Sequence, residues 1–207
     1  MHYDIHKIIE NEDILIKQLR YRDIDVDELD LSILNSVELE RYKGFISDKR
    51  KREFVFTRAL LLSFGIDLKI EYRETGKPII NEGHISISHS RNNVIIGYSK
   101  NHIIGVDIEY FNPKIHRIKH KFLASIERER FDIENEQTLT ILWSIKEAIY
   151  KMEDIPGLMF KEHILVHALN ERGNVRVIKN GIEHDYVFDY EVFEDFVITY
   201  CYLKESN

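Results

Sequence analysis

The chain has 207 residues, of which 43% are hydrophobic and 31% charged, and its net charge is −7. That length suits one globular unit or two small lobes sharing a core, and the acidic balance argues against a general nucleic-acid binder. The single Cys201 rules out an internal disulfide, and no apolar run is long enough to span a bilayer or to follow Met1 as a signal sequence, so the expected location is the cytoplasm.

Residues 1–20 read as a strand and connector. Charge is uneven beyond them: Asp23 to Asp30 is acidic, whereas Arg41 to Arg52 carries six Lys/Arg residues. A local basic patch on an acidic protein points to a specific anion rather than a polyanion. Leu34 to Arg41 has a helical pattern, with Asn35 or Ser36 as N-cap and Glu38 in the first turn. Asp48 to Ser63 predicts a longer helix. Its apolar face is Phe54, Val55, Ala59, Leu61 and Leu62, with Lys49, Arg52 and Arg58 pointing elsewhere and Gly65 as the C′ residue. A short strand is expected over Ile66 to Glu71, then a Thr75-Gly76-Lys77-Pro78 turn with the lysine at its tip. Ile85 to Ser90 alternates isoleucine with serine and presents His89 at its end, and Val94 to Tyr98 and Ile103 to Glu109 are the next strands. Pro113 to Phe131 reads as largely helical, basic from Lys114 to Lys121. The strongest helix is Thr140 to Met152. Its buried stripe is Ile141, Leu142, Ile145, Ala148, Ile149 and Met152, beside a face of Trp143, Glu147, Tyr150 and Lys151. After Pro156-Gly157 come strands at His163 to His167, Val175 to Lys179, Tyr186 to Tyr190 and Phe196 to Tyr202. Helices mixed with frequent hairpins predict an α+β fold with mostly antiparallel sheets.

Within the strand Ile103 to Glu109, alternation sends Val106 and Ile108 to one face and Asp107 and Glu109 to the other. Two carboxylates so placed have Cα atoms about 6.6 Å apart and point the same way, a pair suited to a hard cation such as Mg²⁺ bound with substrate phosphates. Glu147 and Lys151, at i and i+4, are either a simple surface ion pair or a further carboxylate and a phosphate ligand. Each residue also has an ordinary reading: a wet strand face for the acids, a satisfied structural histidine for His89, a solvated turn lysine for Lys77 and a packed indole for Trp143. A metal-dependent nuclease would want a lysine two residues beyond the acid, where Tyr110-Phe111 follow Glu109.

Taken together, the W-x-x-K-E-A-x-x-K of Trp143 to Lys151 and the G-V-D-I-E of Gly105 to Glu109 resemble the 4′-phosphopantetheinyl transferases, in their monomeric two-lobed (Sfp-type) branch. Gly76-Lys77-Pro78, Ser88-His89-Ser90, Phe122 to Glu127 and the basic helices around Glu38 to Arg41 and Arg50 to Leu61 are also similar to family motifs, in family order. Ser86, where asparagine is usual, and Leu62-Ser63, replacing a common arginine, depart from the pattern. The resemblance implies two pseudo-symmetric lobes, 1–102 on the coenzyme A 3′-phosphate side and 103–207 carrying the metal and acceptor side. It implies Mg²⁺ on Asp107, Glu109 and Glu147, and Glu147, or a metal-bound water it orients, is the candidate for taking the acceptor proton. Lys151 and His89 would meet the pyrophosphate, and Lys77, Ser88 and Arg58 the adenine 3′-phosphate end. Coenzyme A would be the co-substrate and a serine of an apo-acyl or peptidyl carrier protein the acceptor. Neither nucleic acid nor membrane is an expected partner. Glu127 is left as either a metal helper or a cap, and Lys114, Arg117, Lys119 and Lys121 form a candidate docking face for the acidic carrier. A non-catalytic coenzyme A- or carrier-binding adaptor of the same fold is the alternative.

Overall fold

The computed structural model describes residues 3–65, 70–153, 155–169 and 173–203. The expected strand at Ile66 to Glu71 lies mostly outside them; within them, β3 (Glu71–Tyr72) and β4 (Pro78–Ile79) form a small ribbon, numbered after β1 (Tyr3–Glu10) and β2 (Ile14–Tyr21). The N-terminal stretch is therefore a hairpin of two strands rather than one strand and a connector. β1 and β2 continue into β6 (Asn93–Ser99) and β5 (His84–Ser90), giving an antiparallel sheet of order β1-β2-β6-β5. β7 (Ile104–Tyr110) opens the second antiparallel sheet. It is followed in the order β7-β11-β10-β9-β8 by β11 (Phe196–Leu203), β10 (Ile182–Val192), β9 (Gly173–Lys179) and β8 (Ile164–Val166). Three antiparallel sheets packed with helices make the chain a mixed α+β protein, as its sequence pattern predicts.

Alternation along the central strands decides what lies on each face. Ile14 and Ile16 of β2, Ile95 of β6, Ile104, Val106 and Ile108 of β7, and Phe196 and Ile198 of β11 form one apolar cluster, so the two large sheets meet face to face. The outer face of the first sheet, with Leu19, Tyr21, Val94 and Ile96, is covered by α2 (Asp48–Leu62). The outer face of the second, with Val175, Val197 and Cys201, is covered by α5 (Glu136–Glu153). β7 thus has its isoleucines between the sheets and its acids turned toward α5. Among the described residues, no helix is long and apolar enough to cross a membrane.

Local signals account for the helix ends. α1 (Ser36–Lys43) starts at Asn35, whose side chain accepts from the Glu38 N–H at 3.0 Å while Glu38 accepts from the Asn35 N–H at 3.2 Å, a reciprocal capping box. α2 is capped by Ser47, and its buried surface differs from the expected stripe. Phe54 to Leu61 are all buried, and Leu62 is 64% exposed. The reason is that α2 is covered twice, by the sheet on one side and by two 3₁₀ turns (Val26–Glu28 and Leu31–Ile33) on the other. The expected helix over Pro113 to Phe131 is broken into α3 (Ile115–Phe122) and α4 (Ser125–Arg130). Phe122 and Leu123 are drawn into the core, and the Glu127 carboxylate captures the Ala124 N–H at 2.8 Å, restarting the helix there. The expected strand from His163 begins instead with a helical turn, α6 (Phe160–His163), before β8.

Candidate active site

The strand β7 passes unusually close to α5. A Cβ on Gly105 would stand 2.0 Å from the Ala148 carbonyl oxygen, so only glycine allows this approach. The next residue on that face, Asp107, is consequently driven against the helix and is 2% exposed. Its Oδ1 accepts from Lys151 Nζ at 2.6 Å and from Ser88 Oγ at 2.9 Å, and its Oδ2 accepts from Ser144 Oγ at 2.8 Å. Lys151 Nζ also donates to Ser88 Oγ at 2.8 Å. Strand β5, strand β7 and helix α5 are thereby tied at one point by an ion pair and two hydroxyls. A fourth link lies beside it: Ser86 Oγ accepts from the Val106 N–H at 3.0 Å. The serine found in place of asparagine therefore still ties β5 to β7.

Glu109, two residues further along the same face, accepts from Trp143 Nε1 at 3.1 Å. Burial raises its pKa to about 7, and Asp107 and Glu147 push in the same direction, against Trp143 and Lys151. The Glu147 carboxyl is also raised, by burial first and then by Asp107, with Lys151 opposing. The three acids therefore sense one another, with one lysine among them. Among the described residues no three His, Cys, Asp or Glu side chains form a ready metal-holding group. Asp107 is engaged by its three donors, whereas Glu109 and Glu147 hold charge that burial disfavours. The donor set suits a hard divalent cation, which would relieve that cost.

A cavity of about 260 Å³ opens beside this cluster, lined by Gly76, Lys77, Pro78, Ser86, Tyr150 and Lys151 among others. It joins the turn before β4 to the C-terminal half of α5. Lys77 reaches across to donate to the Met152 carbonyl, so that turn is fastened to the helix that carries Lys151.

His89 stands at the end of β5, its Nε2 2.9 Å from Thr57 Oγ1 of α2. Desolvation of the ring, with Lys151 and Lys49 nearby, lowers its pKa to about 4. The side chain is exposed at the strand end, and the ring is neutral at pH 7. Arg58 is placed differently from the other residues singled out in the sequence. It is 5% exposed, ion-paired to Glu38 Oε1 at 2.6 Å, hydrogen-bonded to the Tyr72 hydroxyl and set over the Phe54 ring. Its charge is already matched within the N-terminal sheet-and-helix layer.

Glu127 is 0% exposed, as is Lys146, and the two are ion-paired at 2.8 Å. Glu127 Oε1 accepts from the Val166 N–H, and Lys146 donates to the Phe160 and Ile164 carbonyls. Of its two expected roles Glu127 takes the structural one. On α3, Ile115 and Phe122 are buried, Arg117 and Lys121 are exposed, and Lys119 is paired with Glu134. Two residues take site roles that the sequence did not give them. Trp143 packs on Phe122 and Phe160 as expected, yet its indole N–H also orients Glu109. Ser144 holds the second Asp107 oxygen; its only signal is a small hydroxyl inside an otherwise apolar helix stripe.

Residues 103–201 match the family model of the 4′-phosphopantetheinyl transferase superfamily. A 4′-phosphopantetheinyl transferase, HetI, of Nostoc sp. strain PCC 7120 is 28% identical over 138 residues, 57% of this chain and 58% of that protein. A putative 4′-phosphopantetheinyl transferase, slr0495, of Synechocystis sp. strain PCC 6803 is 29% identical over 139 residues, 58% of this chain and 56% of that protein. The aligned part thus spans less than two thirds of the curated relatives it matches. From β7 to β11, the half that carries Asp107, Glu109, Glu147 and Lys151, the chain is similar to the 4′-phosphopantetheinyl transferase superfamily.

Proposed function

We propose that this protein transfers the 4′-phosphopantetheine group of coenzyme A to a serine hydroxyl of an apo-acyl or peptidyl carrier protein, releasing 3′,5′-ADP. The observation that carries the reading is the carboxylate cluster of Asp107, Glu109 and Glu147 around Lys151, opening on the cavity beside Lys77. In that reading residues 1–102 form the coenzyme-facing lobe and residues 103–207 the lobe of the carboxylates and acceptor, in the monomeric Sfp-type arrangement, working in the cytoplasm.

The Gly76-Lys77-Pro78 turn and the cavity wall receive the adenine end of the coenzyme, and Lys77, with Ser88, supplies donors for its phosphates. Lys151 sits where its ammonium can leave the fully engaged Asp107 partly for a pyrophosphate oxygen. Arg58 would act on the 3′-phosphate end only through the Glu38 and Tyr72 bonds that fix it. Asp107, Glu109 and Glu147 would hold Mg²⁺, which, when bound, neutralises charge on the pyrophosphate. The serine oxygen forms a new bond to the phosphorus that bears pantetheine, the bond from that phosphorus to the ADP oxygen breaks, and the serine proton passes to Glu147. Burial that raises the Glu147 pKa moves it toward working pH, which favours a general base.

Incubation of the protein with coenzyme A, Mg²⁺ and an apo-carrier, read by intact mass, tests this. The expected result is a carrier gaining one phosphopantetheine, with the rate reduced about 10²-fold or more in Glu147→Gln. Coenzyme A binding without transfer to any of a panel of carriers would favour the adaptor reading instead. No binding of coenzyme A would overturn the transferase reading and the coenzyme A-binding adaptor alike.

A further inference from the structure

One hydroxyl decides which nitrogen of His89 carries its proton. Thr57 is buried on α2, and its Oγ1 lies 2.6 Å from the Glu53 carbonyl oxygen and 2.9 Å from His89 Nε2. A threonine hydroxyl has a single hydrogen, and a carbonyl oxygen has none to give. The hydrogen must therefore lie toward Glu53, since two oxygens at 2.6 Å without one would repel. The bond to the imidazole can then run only from Nε2–H to the Thr57 oxygen. In the neutral ring, Nδ1 is left as the bare lone-pair nitrogen.

The charged groups around the ring bear on what Nδ1 can do. Lys151 approaches from α5 and Lys49 from α2, Lys49 itself paired with Glu53 at 3.5 Å. Desolvation, and then these two ammonium groups, disfavour a positive charge on the imidazole, so the free protein keeps the ring neutral. A pyrophosphate diester carries oxygens with lone pairs and no proton, and it cannot bond a bare Nδ1. It can bond an Nδ1–H. Its own negative charge, set among Lys49 and Lys151, makes protonation of the ring favourable there.

We infer that Thr57 is a positioning residue that fixes the Nε2–H tautomer of His89, so that an anion seated on the Nδ1 edge binds together with one proton. The inference rests on the proposed function, in which His89 meets the coenzyme pyrophosphate. Binding is then linked to pH: between the free and bound ring pKa values, affinity rises about tenfold per unit fall in pH. Where Thr57 cannot act, the neutral ring is free to turn its proton to Nδ1, and an anion can be bound without proton uptake.

The probe is dephospho-coenzyme A, whose pyrophosphate diester does not titrate near neutrality and which lacks the titrating 3′-phosphate. Calorimetry at pH 7.5, with chelator present, in buffers of different ionisation enthalpy counts the protons taken up on binding. Glu109 and Glu147 can also take up protons when an anion arrives, so the quantity read is the difference from His89→Asn, which offers a neutral donor. The expected result is a larger uptake in the wild type than in His89→Asn, a difference reduced in Thr57→Val while binding persists. Thr57→Ser, which keeps the hydroxyl, should restore it even if Thr57→Val is too unstable to measure. Binding by the wild type with no His89-dependent uptake overturns the inference and leaves the transferase reading standing. Failure of the probe to bind overturns the inference, and failure of coenzyme A to bind with Mg²⁺ restored overturns the transferase reading as well.

Discussion

Gly105→Ala tests the part of the architecture on which the site depends most. The added Cβ would meet the Ala148 oxygen at 2.0 Å, the Ala148 carbonyl carbon at 2.8 Å and Met152 Cβ at 3.1 Å. The two nearest atoms are backbone, so no side-chain rotation relieves the clash. A carbon–oxygen contact needs somewhat more than 3 Å, which means α5 must retreat from β7 by roughly 1 Å. Ser144, Glu147 and Lys151 all ride on that helix, and the Lys151 and Ser144 bonds to Asp107 are 2.6 and 2.8 Å long. A retreat of that size stretches both beyond useful geometry. Overpacking of this kind costs about 1–3 kcal/mol of stability, and a 1 Å misplacement of reacting groups costs about 10²-fold in rate. Urea melts give the first quantity and the intact-mass transfer rate the second. Ala148→Gly should not rescue the variant, because the clash is with the backbone oxygen and not with the Ala148 methyl. A Gly105→Ala protein with wild-type stability and turnover would refute the reasoning.

Lys146→Met should lower stability by about 3–5 kcal/mol, because it leaves the Glu127 carboxylate buried without its cation; a urea-melt loss below about 1 kcal/mol would show that the pair is dispensable. Lys77→Ala should weaken coenzyme A about tenfold more than dephospho-coenzyme A, from the loss of one charge-assisted bond; equal losses in calorimetry would place Lys77 away from the 3′-phosphate. Reversing Arg117 and Lys121 to Glu should raise the carrier KM several-fold, more at low salt, with coenzyme A affinity unchanged; an unaltered KM would move docking off α3. The last concerns pH in the metal-free protein. Burial raises the Glu109 pKa from 4.5 to about 7, so the folded state binds a proton more tightly than the unfolded one between those values. Stability should fall as pH rises through that window, and Glu109→Gln should gain on the wild type over the same range; parallel Tm profiles of the two proteins would contradict it.

Much of the frame was legible because the signals were local. Asn35 and Glu38 wrote the start of α1, strict alternation wrote the two faces of β7, and the 3.6-residue stripe wrote α5. What escaped depended on partners distant in sequence. Leu62 has the spacing of a core residue, yet it is 64% exposed while Phe56 and Leu60 are buried. Arg58 is paired with Glu38, twenty residues earlier, a contact that the helix pattern does not show. The break at Leu123-Ala124 follows from a carboxylate that caps the next helix while paired with Lys146, and neither contact is visible in a hydrophobic pattern. Ser144 was invisible for a related reason: its partner Asp107 lies on a strand 37 residues away.

The three acids of the cluster are not equivalent, and the difference bears on how variants at them are read. Asp107 receives an ammonium and two hydroxyls, so it works as the pivot that holds β5, β7 and α5 together. Removing its carboxylate strands three donors at once, and lost activity there mixes chemistry with architecture. Glu109 receives only the Trp143 N–H, and Glu147 has no hydrogen-bond donor among the described residues. These two hold their charge against burial with little to compensate it, the condition in which a carboxylate gains most from a cation or an incoming proton. The neutral, isosteric change Glu147→Gln removes that reactivity and leaves the pivot untouched. Loss of transfer in a Glu147→Gln protein that melts like the wild type therefore assigns chemistry to the cluster in a way that no variant of Asp107 can.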